Sequence, residues 1–87
     1  MGFTVVWRPS AEAQLAQIWL EASDRLSVTN AANAIDQELH HSPRTIGESR
    51  SEGRRVVIIR PLAVYFGIDD EDRIVRVLSV RKVAKDS

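Results

Sequence analysis

One stretch of the sequence constrains the fold more than the rest: RPLAVYFGIDDEDRIVRVLSVRK, residues 60–82. It contains two apolar runs, 62–68 and 73–80, on either side of the acidic DDED at 69–72. Two runs of β-branched and aromatic residues around a short polar turn are typical of a β-hairpin. Because successive side chains of a strand point to opposite faces, one face of this hairpin is apolar and needs a covering layer. The rest of the chain must supply that layer.

Two amphipathic segments earlier in the chain can form this layer. The first, about residues 10–25, begins at Ser10, a residue type that caps helices well. Its apolar stripe recurs at helical spacing and comprises Ala11, Leu15, Ile18, Trp19, Ala22 and Leu26, of which Trp19 is expected in the core. A second stripe follows a cap at Ser27 or Thr29, and Pro43 ends it because the residue before a proline disfavours the helical region. The sequence therefore predicts two helices in succession.

Two further runs complete the predicted sheet. FTVVWR at 3–8 and RRVVII at 54–59 are rich in β-branched residues, and serine, glycine and proline mark 42–53 as a loop. The element order is therefore β-α-α-β-β-β, in which the two helices form an αα-hairpin. We predict a single α+β domain over residues 1–87, with a small, mainly antiparallel sheet and the αα-hairpin packed on one face. Residues 81–87 are predicted to form a basic C-terminal tail.

The residue types exclude several classes of site. The chain has no cysteine, which rules out disulfide bonds and thiolate metal centres, and no run of 18 apolar residues. His40 and His41 are adjacent on a predicted helix, so their side chains point about 100° apart and do not share a metal ion. The carboxylates of 69–72 lack the spacing of a calcium-binding loop. We expect no metal site, no cofactor, no membrane span and a cytoplasmic location.

The formal net charge of zero conceals an uneven distribution. Ten of the twelve basic residues lie in 44–87, and four of the acidic residues are concentrated in 69–72. Outside that turn, the second half of the chain is basic, which makes a local cationic surface possible. The overall charge is nevertheless far from the strongly basic balance that is typical of a nucleic-acid-binding domain.

Register decides which side chains of the hairpin meet. If 69–72 form the turn, Tyr65 lies opposite Arg76, and Arg54 joins them when the preceding strand pairs antiparallel with the hairpin. The face under the helices then carries Leu62, Val64, Phe66, Val75, Val77 and Ser79. A cluster of two arginines and a tyrosine on an open sheet suits a phosphate or a carboxylate-rich peptide. The alternative is a solvated face with one stabilising cross-strand pair.

The whole pattern resembles a known superfamily. The strand that leads into WRPSAEAQLAQIW, the αα-hairpin, the step LHHSPRTIGESR and the closing VYFGIDDEDRIVRVLSV are similar to the RelE/ParE toxins of type II toxin–antitoxin systems, over about residues 3–82. The resemblance implies a toxin that a cognate antitoxin holds inactive, as a homodimer or in a toxin–antitoxin hetero-oligomer. RelE-like members cut mRNA in the ribosomal A site without a metal, whereas ParE-like members inhibit DNA gyrase.

The resemblance also suggests site residues. RelE-like cleavage depends on basic residues near the end of the last strand, so Arg81 and Lys82 are the candidate catalytic residues. The candidate binding residues are Arg54, Tyr65, Arg76 and Lys85. These residue types supply positive charge to a phosphate and a hydroxyl that can donate a proton.

Two positions depart from the nuclease pattern. Leu62 and Val83 stand where RelE-like members are expected to carry arginine. These departures favour a ParE-like toxin that is not a nuclease, and the resemblance to ParE implies DNA gyrase as its target. The alternatives are a ribosome-dependent mRNA interferase, a non-toxic binding module or toxin relic, and an unrelated small α+β enzyme.

Overall fold

The computed structural model describes residues 2–50 and 53–83. In chain order its elements are β1 (Thr4–Trp7), α1 (Pro9–Glu21), α2 (Arg25–His41), β2 (Glu48–Ser49), β3 (Arg54–Ile59), β4 (Leu62–Asp69) and β5 (Ile74–Lys82). The α+β class and the order of the predicted elements are confirmed. The structure adds the two-residue strand β2 inside the segment that the sequence predicts as a loop.

Within the described residues, five strands form one mixed sheet in the order β1-β5-β4-β3-β2. β1 runs parallel to β5, and the other neighbouring strands are antiparallel. A parallel pair needs a long crossover connection, and α1 and α2 are part of it here. The helices pack on one face, which we call the inner face and which carries Leu62, Val64 and Phe66 of β4. The opposite, outer face carries Ala63, Tyr65 and Gly67.

The hydrophobic core lies between the inner face and the helices. Its fully buried side chains include Leu62, Val64, Phe66, Val75 and Val77 of the sheet. The buried residues of α2 are Val28, Ala31, Ile35 and Leu39. This stripe recurs at three- and four-residue intervals, so the apolar face of α2 follows its helical period. The core therefore rests on the central strands and α2, while within α1 Ala11 alone is buried.

Asp24 caps the start of α2, where its side chain accepts a hydrogen bond from the backbone N–H of Ser27 at 3.1 Å. The predicted caps at Ser27 or Thr29 are therefore wrong. The predicted cap at Ser10 is also wrong, because α1 begins one residue earlier at Pro9 and, among the described residues, no side chain caps it. In the described parts of the chain, no helix is long and apolar enough to cross a membrane.

The β4–β5 turn comprises residues 70–73, one position later than predicted. Asp69 still pairs with Ile74 in the sheet, and its carboxylate accepts a hydrogen bond from the backbone N–H of Asp72 at 3.1 Å. Arg73 completes the turn with a φ of 54°. An aspartate side chain that bonds to the backbone a few residues on stabilises such turns, and this bond explains why the strand continues through Asp69.

The register of the hairpin differs from the predicted one. Arg76 pairs with Gly67, and Tyr65 pairs with Ser79, so the predicted Tyr65–Arg76 pair is wrong. The later turn shifts the pairing, and an irregularity next to Tyr65 shifts it again by one residue. All three predicted outer-face residues of β3, β4 and β5 nevertheless remain on the same face.

Leu78 is the extra residue of a β-bulge. Phe66 pairs with Val77, whereas the next residue of β4 pairs with Ser79, so Leu78 has no partner of its own across the strand pair. One added residue moves every later side chain to the other face. The bulge therefore places Val80 in the core and Arg81 on the outer face, and it overturns the prediction that Ser79 faces the helices.

Trp19 lies at the surface, so the prediction that it is in the core is wrong. It is 39% exposed, and its indole N–H donates to the hydroxyl of Thr29 on α2 at 3.2 Å. The guanidinium of Arg25 lies 4.6 Å from the centre of its ring. Trp19 thus faces α2 rather than the sheet, and it lines a groove of about 550 Å³ between the two helices, whose floor includes Trp7.

Candidate functional site

The outer face carries three arginines at defined positions in the sheet. Arg54 of β3 pairs with Gly67 of β4, and Gly67 pairs on its other side with Arg76 of β5. Since neighbouring strands are about 4.8 Å apart, the Cα atoms of the two arginines are about 10 Å apart across Gly67. Arg76 in turn pairs with Val6 of β1. A single row across four strands therefore reads valine, arginine, glycine, arginine.

Gly67 leaves an opening in the centre of this row. A Cβ atom built at Gly67 would meet no described atom within 4 Å, so the space above the backbone is unfilled. The flanking arginines rise from the same face because they are its cross-strand partners. We call this opening, bounded by Arg54 and Arg76, the Gly67 notch.

The two arginines of the notch are weakly engaged within the protein. Arg54 is exposed, and no hydrogen bond or ion pair joins its side chain to any residue in 2–50 or 53–83. Arg76 lies 3.9 Å from the carboxylate of Asp69, and both side chains are partly exposed. An ion pair of this length at a surface contributes little. Both guanidinium groups can therefore bind an added anion.

Tyr65 and Arg81 form the second part of the face. The guanidinium carbon of Arg81 lies 6.0 Å from the centre of the Tyr65 ring, at the outer limit of a cation–π contact. Arg81 pairs with Ala63, whose other partner is Ile58 of β3, a residue that is 53% exposed. A third cation thus lies beyond Tyr65 from the Gly67 notch.

The structure does not bring the two candidate catalytic residues together. Arg81 and Lys82 are consecutive in β5, and consecutive side chains of a strand point to opposite faces. Both belong to the strand, so the predicted basic tail does not begin at residue 81. Lys85 lies outside the described residues. The catalytic role of Arg81 and Lys82 stays a prediction.

His40, the histidine nearest the sheet, is placed away from the outer face. His40 is held on the other side of the sheet, where Nδ1 lies 2.9 Å from the carbonyl oxygen of Phe3 and Nε2 lies 3.4 Å from Asp36. Within the described residues, no group of three or more histidine, aspartate or glutamate side chains is arranged to hold a metal ion. The outer face thus offers three arginines and a phenol, with the carboxylates of Asp69 and Glu48 at its periphery, and the arginines suit anion binding.

The two positions that depart from the nuclease pattern both carry apolar side chains. Leu62 is completely buried on the inner face, in the hydrophobic core. Val83 follows β5, and its backbone N–H donates to the carbonyl oxygen of Pro61 at 2.8 Å. Neither residue brings a polar side chain to the arginines.

Sequence reasoning missed Arg81 as part of the face, whereas Gly67 was expected there because it alternates with Tyr65, but not between two arginines. The signal for Arg81 was present in the spacing of the valines: Val75 and Val77 are two residues apart, whereas the next valine, Val80, follows three residues later. A phase change of this kind in a strand indicates a bulge. The cross-strand partners of Gly67 had no comparable signal, since they depend on the register of both neighbouring strands.

A comparison with models of protein families identifies the family of the chain. Residues 5–87 match the family described as the ParE toxin of the type II toxin–antitoxin system, parDE. The chain belongs to this ParE toxin family. The resemblance to the RelE/ParE superfamily that the sequence indicates is thereby confirmed. No curated protein is significantly similar to this ParE-family chain in sequence.

Solved structures share the fold of this ParE-family toxin. The RelBE2 toxin–antitoxin complex of Mycobacterium tuberculosis contains a chain with 20% identity and a TM-score of 0.77, covering 94% of this chain and 99% of that one. The chromosomal ParDE system of P. aeruginosa gives 15% identity and a TM-score of 0.71, with 94% and 97% covered. The intact RelBE complex of E. coli gives 16% identity and a TM-score of 0.65, with 95% and 99% covered. The fold is therefore common to RelE and ParE toxins.

Proposed function

We propose that this toxin acts in the ParE manner, by inhibiting DNA gyrase, and that it does not cut mRNA. The observation that carries the proposal is the environment of Leu62. A RelE-like mechanism expects a cation at this position, and here the side chain is completely buried in the core. An apolar side chain without exposure contributes nothing to a phosphodiester.

The composition of the outer face supports the same reading. Cleavage of RNA needs a group that accepts the proton of the 2′-hydroxyl and a group that protonates the leaving oxygen. An arginine side chain stays protonated in proteins and has no acceptor, so Arg54, Arg76 and Arg81 cannot act as the base. Tyr65 is half-buried, and Asp69 faces Arg76. The face is better suited to holding an anionic group than to transferring its protons.

A cognate antitoxin is the second element of the proposal. The structures similar to this chain include toxins solved with their antitoxins, among them the RelBE2 and E. coli RelBE complexes. We infer that this chain is neutralised in the same way, within the cytoplasm, in a toxin–antitoxin hetero-oligomer. Its location and its assembly stay predictions.

Induced expression in a bacterial host tests the proposed function. We expect growth arrest with relaxed plasmid DNA, while primer extension on abundant messages shows no new cleavage sites. An Arg81→Ala, Lys82→Ala double variant is the matched probe, because the interferase alternative requires it to lose mRNA cleavage. Arrest with cut messages and normal supercoiling would establish the interferase. Absence of arrest, with the protein expressed and folded, would favour a non-toxic binding module.

The mRNA interferase keeps one observation in its favour. The β-bulge at Leu78 brings Arg81 to the same face as Tyr65, and basic and phenolic groups on one sheet face are what that activity requires. The primer-extension measurement separates the two readings directly.

A further inference from the structure

We propose that the outer face binds an extended, acidic segment of a partner protein, with one carboxylate seated in the Gly67 notch between Arg54 and Arg76. The inference deepens the proposed function, since it rests on a toxin that recognises proteins rather than cutting RNA. It assigns the chemistry of the recognised segment, which the family membership does not.

The notch has the dimensions and charge of a carboxylate site. Gly67 leaves the backbone uncovered, and a guanidinium group stands on either side of it. Arginine binds carboxylates through two parallel N–H donors, so two arginines about 10 Å apart at their Cα atoms can converge on one anion. Arg54 has no partner among the described residues, so a ligand need not displace one there.

The spacing of the cations predicts the pattern of the segment. Gly67 and Ala63, which pair with Arg76 and Arg81, are four residues apart in β4. At about 3.3 Å per residue, their rows are about 13 Å apart along the strand. An extended segment lying along β4 advances by the same amount in four residues, with alternate side chains on one side. Acidic residues at positions i and i+4 therefore meet the two rows, and an apolar residue at i+2 meets Tyr65.

The remainder of the face favours a protein over a nucleic acid. Val6 and Ile58, at its two sides, are 43% and 53% exposed, and such apolar surface suits apolar side chains. Asp69 and Glu48 lie on the same face, as the cross-strand partners of Ile74 and Val56. These carboxylates repel a continuous phosphate backbone wherever it passes them, whereas a peptide with two separated glutamates can place neutral residues there.

A synthetic peptide tests the proposal on the full chain. The probe is acetyl-TETLTET-amide, which carries glutamates at i and i+4 and leucine between them, and binding is followed by calorimetry and by amide chemical shifts. We expect binding with the largest shifts at Gly67 and its neighbours. The glutamine peptide TQTLTQT should bind at least about tenfold more weakly, as expected for loss of two charge-assisted contacts. Equal binding of the two peptides would overturn the proposal.

Variants identify the residues that bind the peptide. Arg54→Gln and Arg76→Gln should each weaken binding about fivefold or more, whereas Arg25→Gln on the helical side should leave it unchanged within about twofold. Gly67→Val fills the notch and keeps every charge, and valine suits a strand, so thermal unfolding should show a folded protein that no longer binds. Binding by folded Gly67→Val equal to that of the parent chain would contradict the proposed position.

Two further probes separate this proposal from nucleic-acid binding and from the proposed function. If a twelve-nucleotide uridine RNA or inorganic phosphate binds the notch more tightly than the glutamate peptide, the ligand is a phosphate and the proposal fails. Gyrase inhibition without peptide binding would contradict the proposed peptide site and support the proposed function. Peptide binding by a protein that cuts mRNA would contradict the proposed function and support the peptide site.

Discussion

The side chain of Gln14 in α1 accepts a hydrogen bond from the backbone N–H of Val80 in β5, at 2.8 Å. β1 ends at Trp7, whose partner in β5 is Val77, so within residues 2–50 and 53–83 no strand lies beside the later part of β5 on that edge. A helix side chain thus satisfies a strand N–H at the point where the sheet partner ends. Unpaired strand edges attract other chains, and this contact protects one such group.

Replacement of Gln14 should therefore destabilise the protein. We expect Gln14→Leu to lower the free energy of unfolding by about 1–3 kcal/mol, because the N–H of Val80 loses its partner in a partly buried position. Urea denaturation measures the change. The control is Gln17→Leu on the same helix, whose amide bonds to the exposed Glu21. Equal effects of the two substitutions would show that the bond to Val80 is unimportant.

The helix caps give a second prediction. The sequence favours Ser10 as a cap, whereas the structure has Asp24 as a cap, so the two differ on which residue contributes to stability. Asp24→Ala should cost about 1 kcal/mol, since its carboxylate accepts the N–H of Ser27 at the start of α2. Ser10→Ala should change the free energy of unfolding by no more than a few tenths of a kcal/mol, because Ser10 lies inside α1. Chemical denaturation of both variants checks the order, and a larger cost for Ser10→Ala would contradict the observed caps.

These caps illustrate what local sequence signals can decide. Proline and serine correctly indicated a helix after β1, but serine caps and first-turn serines look alike without the backbone conformation. Asp24 was overlooked because the apolar stripe, and not the cap, was used to place the start of α2. The element type was predictable from periodicity, whereas its first residue required the geometry of the chain.

The β-bulge at Leu78 gives a third prediction. Deletion of Leu78 should remove the bulge and leave the faces as they are, because Val77, Ser79, Val80 and Arg81 then alternate regularly, with Val80 in the core and Arg81 on the outer face. An alanine inserted between Ser79 and Val80 should instead turn Val80 toward solvent and Arg81 toward the core. Burial of an unpaired arginine and loss of a core valine together cost several kcal/mol, so we expect an unfolded or molten chain from the insertion and a folded chain from the deletion. Circular dichroism and thermal unfolding compare the two variants. An unfolded deletion variant beside a native-like insertion variant would show that the bulge does not set the faces.

The outer face shows where prediction from sequence ends. The alternation of β4 correctly placed Leu62, Val64 and Phe66 on the inner face and Tyr65 on the outer one. Cross-strand neighbours depend on the length of the turn and on the bulge, and each changes the pairing without changing the composition. The notch at Gly67 follows from two strand registers at once, so no single stretch of sequence contains it.

The central claim is that this ParE-family toxin acts on gyrase and does not cleave RNA. The most direct measurement adds the purified protein to two reactions: supercoiling of relaxed plasmid by gyrase, and translation of a defined mRNA by purified ribosomes. We predict that supercoiling is inhibited in proportion to the added protein and that the mRNA remains intact. Codon-spaced cleavage of the mRNA with supercoiling unaffected would contradict the claim.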